Sequence, residues 1–128
     1  MSVPTSISRL LAKNVAFTAG KVVKQGTAWN EVTAIAATTD IPLGLYVSPE
    51  NVTAAETNAM TISGAVVVGG PTKGLAGAAV AAGDQVVVDA DGDLVPKAAA
   101  GWVVGTALSP AANGEYFDIL INIRKEPA

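Results

Sequence analysis

The chain has 128 residues, is half hydrophobic but only 5% aromatic, and carries a formal charge of −3. With no cysteine and no histidine it lacks disulfides, thiolate metal sites, the commonest general base and every Ser-His-Asp or Cys-His nucleophile. The acidic balance excludes a basic face on the scale nucleic acid requires, and no apolar run approaches the roughly 18 residues of a membrane-spanning helix.

The length predicts one domain, with roughly two-thirds of the unfolded surface removed on folding. Its apolar mass is Ala and Val with Ile and Leu, and small side chains bury little area each. Association with neighbouring copies is therefore expected to add stability. Met1–Asn14 has a polar start and no signal-peptide core, so a soluble protein made in a cytoplasm is expected.

In Ser2–Asn14, Ile7, Leu10 and Leu11 fall at i, i+3, i+4, the spacing of one face of a short helical turn. Arg9 and Lys13 flank that face, and Thr5 or Ser6 would cap it. One such turn does not persist alone in water. It has two readings: an arm over residues 1–13 that lies on a partner, or a terminus tucked against its own domain. Charge favours neither. Residues 1–30 hold four cations and no acid, which suits an acidic protein surface and equally an ordinary solvated one.

From Val15 the pattern turns to strands. Val15–Thr18 and Lys21–Lys24 are separated by Ala19-Gly20, and Gln25-Gly26 turns the chain. Thr27–Ala37 alternates in part, through Trp29, Val32 and Ile35, until Thr38-Thr39-Asp40 breaks it. Ile41–Val47 is apolar, with Pro42 at a strand start or edge. Ser48–Asn58 reads as a long loop with room for a short helix at Thr53–Asn58. Met60–Ser63 and Ala65–Val68 are strand-like, Gly69–Gly74 irregular, and Leu75–Ala82 a loose loop or short turn. Val86–Val88, Leu94–Pro96, Trp102–Leu108 and Tyr116–Ile123 then follow as strands. Val86, Val88, Leu94, Val104, Ile119, Ile121 and Ile123 should face the core. The whole predicts an all-β single domain over residues 14–128, a compact barrel or sandwich, behind the N-terminal arm.

Two segments suggest ligand chemistry and fail on spacing. Asp89-Ala90-Asp91-Gly92-Asp93 alternates carboxylates like a calcium loop, but Gly falls at the fourth position and Ala100 stands at the twelfth. Asp91-Gly92 instead reads as a two-residue type I′ hairpin turn. Gly69–Gly74 has a lysine among glycines but not the order of a phosphate loop. No cofactor or metal site is expected, and no acid/base pair that would make an enzyme. Trp102 sits within a strand pattern and is expected in the core. Trp29, beside Asn30 and Glu31, suits core and interface equally.

The order Gly83-Asp84, Val86, Val88-Asp89, Gly92, Leu94, then Val104–Leu108, Gly114-Glu115 and Ile119–Ile123 resembles the C-terminal half of small, Ala/Gly/Val-rich capsid decoration (cement) proteins of tailed phages. The resemblance implies a β-rich structural protein on the outer capsid surface. It implies binding to major capsid protein subunits, assembly as a homotrimer, and no catalysis, cofactor, nucleic acid or membrane. It makes Ile7, Arg9, Leu10, Leu11 and Lys13 candidate capsid contacts and Trp29 a candidate interface aromatic. The alternative is a carbohydrate- or surface-binding β module of a phage fibre or tail appendage, for which only Trp29-Asn30-Glu31 speaks.

Overall fold

The computed structural model describes residues 6–7, 17–26, 32–48, 51–52 and 65–127. Among these residues twelve strands are formed: β1 (Ser6–Ile7), β2 (Phe17–Thr18), β3 (Val22–Gln25), β4 (Val32–Ala34), β5 (Gly44–Ser48), β6 (Asn51–Val52), β7 (Ala65–Val67), β8 (Gly70–Leu75), β9 (Gln85–Val88), β10 (Leu94–Pro96), β11 (Gly101–Ala107) and β12 (Tyr116–Glu126). They build one five-stranded sheet in the order β1-β7-β5-β3-β4, a second in the order β10-β9-β11-β12-β8, and the small pair β2-β6. Every strand pairing is antiparallel. The all-β single-domain reading holds, and no helix occurs among the described residues.

Both large sheets contribute to one apolar core. Val22, Ile35 and Leu45 come from the first sheet and its adjoining turn; Val86, Val88, Leu94, Val104, Phe117, Ile119 and Ile121 come from the second. Ile123 is half-buried and packs against this cluster, so all seven residues expected to face inward do so. The cause is the two-residue period of the strands, clearest on β12, where Phe117, Ile119 and Ile121 are buried between exposed neighbours. Each such side chain removes apolar area worth roughly 1.5–3 kcal/mol when fully buried.

The segment before and within β3 joins the sheets through its backbone. Val22 N–H donates to Gly92 C=O (2.8 Å), and Leu75 N–H to Gly20 C=O (3.0 Å). Tyr116 Oη donates to Ala19 C=O (2.9 Å).

Several expectations are corrected. Most of Gly69–Gly74, expected to be irregular, forms with Leu75, expected in a loose loop or turn, the edge strand β8 (Gly70–Leu75), in register with β12 from Tyr116↔Leu75 to Ile121↔Gly70. Leu75 N–H points away from β12, and by the two-residue alternation so does position 71. Pro71 therefore sits where no ladder donor is required. Proline and Lys73 on this edge also discourage pairing with another chain. The expected long loop after Ser48 is interrupted by β6, which pairs with β2. The helix considered at Thr53–Asn58 and the strand at Met60–Ser63 lie outside the described residues.

The β9–β10 hairpin is not closed by a two-residue turn. Val88 pairs with Leu94, leaving five residues between them. Gly92 N–H donates to Asp89 C=O (3.3 Å) and Asp89 N–H to Asp93 C=O (2.9 Å). This is a three-residue loop in which Gly92, at φ 84°, takes the left-handed position. An aspartate opens it because its Oδ1 accepts from the amides of Asp91 (2.8 Å) and Asp93 (3.0 Å).

The bend after β4 depends on one carboxylate. Asp40 Oδ2 accepts from the amides of Ala36 (2.8 Å) and Ala37 (3.0 Å) and from Lys24 Nζ (2.9 Å). These contacts, the Ala36 amide foremost, then Lys24, hold its pKa below the ordinary value of 3.8. A depressed carboxylate stabilises the fold above its unfolded pKa, and that contribution is lost as pH falls through the folded value. Asp40→Asn should therefore lower the melting temperature at neutral pH and flatten its decline below about pH 4. Thermal unfolding of both proteins from neutral pH down to about 2 checks this; parallel curves would reject the role.

Candidate functional site

Of the candidate capsid contacts, Ile7 lies in β1, where Ser6 and Ile7 pair with Val67 and Val66 of β7. Its backbone is extended, so the helical turn expected over Ile7–Leu11 does not begin at Ile7. Arg9, Leu10, Leu11, Lys13 and Trp29 lie outside the described residues. What is seen of the N-terminal segment is thus its pairing with the free edge of the first sheet.

The outer face of the second sheet carries residues that the reading of the sequence did not single out as contacts. On β12, Tyr116, Asp118, Leu120 and Asn122 point outward. Tyr116 is 50% exposed, Leu120 43%, and nearby Leu108 52%, high values for such apolar side chains. Lys73 Nζ and Asp118 Oδ1 form an ion pair across the β8–β12 register (2.9 Å). Both are largely exposed, so the pair adds little stability. The signal that marks Leu120 is available in the sequence: strict alternation places it outside, and it is apolar.

The three carboxylates of the β9–β10 loop come within 4.8 Å of one another. Asp89 is occupied with the loop amides. Lys21 Nζ lies 3.5 Å from Asp93 Oδ1 and donates to Asp91 C=O (3.2 Å). Burial raises the Asp93 pKa above 3.8, Lys21 opposes this, and Asp89 and Asp91 add to it. A raised value works against Asp40: ionised Asp93 costs the fold something that protonation relieves as pH falls. This cluster shapes the hairpin and ties it to β3.

Trp102 is not in the core. It is half-buried on β11 and lines a cleft of about 460 Å³, together with Thr38 and Thr39 from the bend after β4 and Lys125 from β12. Among the described residues the fully buried aromatic side chains are instead Tyr46 and Phe117. A tryptophan within a strand pattern is buried only if its register faces inward, and position 102 stands before the irregularity that β11 shows between Val103 and Gly105.

This arrangement defines an all-β domain with no assembled acid/base machinery among its described residues. Its fold is similar to that of the head fiber gp8.5 N base of bacteriophage phi29, with a TM-score of 0.67 and 19% identity over 91% of this chain and 92% of that one. At that identity the likeness is one of fold. The sequence profile of the family described as structural cement protein (E217 gp24/Pam3 gp6) matches residues 1–122, and the chain belongs to this phage cement family. It is a structural, virion-associated protein. No curated protein sequence matches the chain.

Proposed function

We propose that this protein decorates the outer surface of a phage capsid, binding major capsid protein subunits and standing there as a homotrimer. The observation that carries the reading is the match to the structural cement family across residues 1–122. The composition supports it, since a core built mostly of Val, with few aromatic side chains, leaves stability to be gained from neighbouring subunits. A trimer seated over several capsid subunits multiplies a weak contact by its copy number.

Residues 1–13 are the proposed clamp. Leu10 and Leu11 would supply apolar burial, about 1.5–3 kcal/mol each when complete. Arg9 and Lys13 would set encounter rate and salt sensitivity. Deleting the whole segment also removes the β1–β7 pairing, so paired substitutions beyond β1 are the cleaner test. Leu10→Asp with Leu11→Asp should weaken co-sedimentation with expanded empty capsids by roughly a hundredfold. The melting temperature should move by less than a few degrees. Unchanged binding would discard the clamp. No binding by the unaltered protein would discard the capsid reading, and copies not clustered in threes would discard the trimer.

A further inference from the structure

The cleft beside Trp102 has a composition that the capsid reading leaves unexplained. It is lined by half-buried Trp102, by Val95, by the small run 98–101, and by four polar residues: Thr38, Thr39, Asp89 and Lys125. The small residues let a flat ligand approach the backbone closely. One carboxylate and one ammonium balance in charge, so the site suits neither an anion nor a cation. Two hydroxyls add donors and acceptors. The Asp89 carboxylate is fixed beforehand, because its Oδ1 is held by two loop amides.

Other occupants fit less well. A purely apolar ligand would leave four polar side chains to be desolvated without partners. A peptide adding itself as a strand would need an open edge on β10. That edge is closed: Gly77 N–H already occupies Leu94 C=O (2.8 Å), and Pro96 has no N–H. A neutral polyhydroxyl ring uses every feature, with its C–H face against the indole and its hydroxyls on the polar groups. A second concavity of about 470 Å³ is also bounded by Thr39, with Lys24, Asp40 and exposed Ile41 around it. Two hollows sharing one residue suit a chain of rings better than a single one.

We propose that the cleft is a binding site for a neutral oligosaccharide, with one sugar ring stacked on Trp102 and the chain continuing across Thr39. β1, the described part of residues 1–13, stands at one edge of the first sheet, and the bend that lines the cleft follows β4 at the other edge, so decoration and sugar binding should be separable.

The test uses the intact protein carrying Trp29→Phe, so that Trp102 is the sole tryptophan reporter. Maltohexaose, cellohexaose, chitohexaose and the matching methyl glycosides are titrated while its fluorescence is followed. At least one hexaose should give a saturable change, at least tenfold tighter than its methyl glycoside. In calorimetry, Trp102→Ala should weaken that hexaose at least tenfold. Thr38→Val with Thr39→Val, at exposed positions that spare the core, should also weaken it should the tryptophan variant fail to fold. Capsid co-sedimentation of the Trp102 and threonine variants, made in the chain that keeps Trp29, should stay unchanged. Absence of saturable binding by all three hexaoses overturns the proposal, as does binding that none of these substitutions alters. Loss of capsid binding with the threonine pair would assign the cleft to the capsid interface instead.

Discussion

Gly105→Ala lowers the stability of the free protein by about 1–3 kcal/mol or more, although the change adds one methyl group. Gly105 lies in β11, the central strand of the second sheet, paired with Ile121 on one side and Val86 on the other. A Cβ at this position would collide with the backbone carbonyl oxygen of Leu120, and it would also stand 3.1 Å from Ile121 Cα. Side chains can rotate out of the way; the ladder of β12 cannot without breaking its own hydrogen bonds. At a position whose backbone and surroundings accept alanine, replacing glycine gains about 0.4–1 kcal/mol by restricting the unfolded chain. Here the collision outweighs that gain. The register shifts between Val103 and Gly105, and Val103 and Val104 are both fully buried, which regular alternation forbids. Gly105 thus lets β12 approach closely just where β11 changes face. Urea and thermal unfolding of Gly105→Ala decide the matter. A variant as stable as the parent would mean that the strands separate at no cost.

The same residue shows how far the sequence could be read. Gly105 stands inside the Val104–Leu108 run that carried the family resemblance, but nothing in the sequence reveals the carbonyl that excludes its side chain. Strands with β-branched alternation, such as Val86–Val88 and Ile119–Ile123, were legible because pattern and burial share one period. β8 was not, because Gly70, Pro71 and Gly74 carry turn signals, and only its partner β12 makes them a strand. The Asp89–Asp93 loop was legible as a turn but not in its length, which is set by the Val88↔Leu94 register. Trp102 was misplaced for the same reason: its face depends on an irregularity in β11 that leaves no mark in composition. For the candidate site the sequence offered the apolar spacing of residues 7–11. The exposed Leu120 and the cleft at Trp102 arise from tertiary placement of strands distant in the chain.

Phe117→Ala should cost about 3–5 kcal/mol. Phe117 is 1% exposed and, with Tyr46, heads the fully buried side chains of the described residues by volume. Its surroundings are mostly Val, Ile, Leu and Ala. Branched side chains with one preferred rotamer do not swing far enough to fill the space a phenyl ring leaves. The sheet cannot close over it either, because β12 is paired on both sides, with β11 and β8. The cavity therefore persists, and its cost adds to the lost burial. Against a total stability of about 5–15 kcal/mol this is a large share. It corresponds to a fall in melting temperature of roughly 10–20 °C for a domain of this size. Leu120→Ala, on the same strand but facing outward, should change stability by less than about 0.5 kcal/mol. Unfolding the two purified variants side by side tests the assignment of faces on β12. A small effect of Phe117→Ala would mean a core that collapses around the void. Equal effects would mean that the outward face of β12 is covered in the free protein.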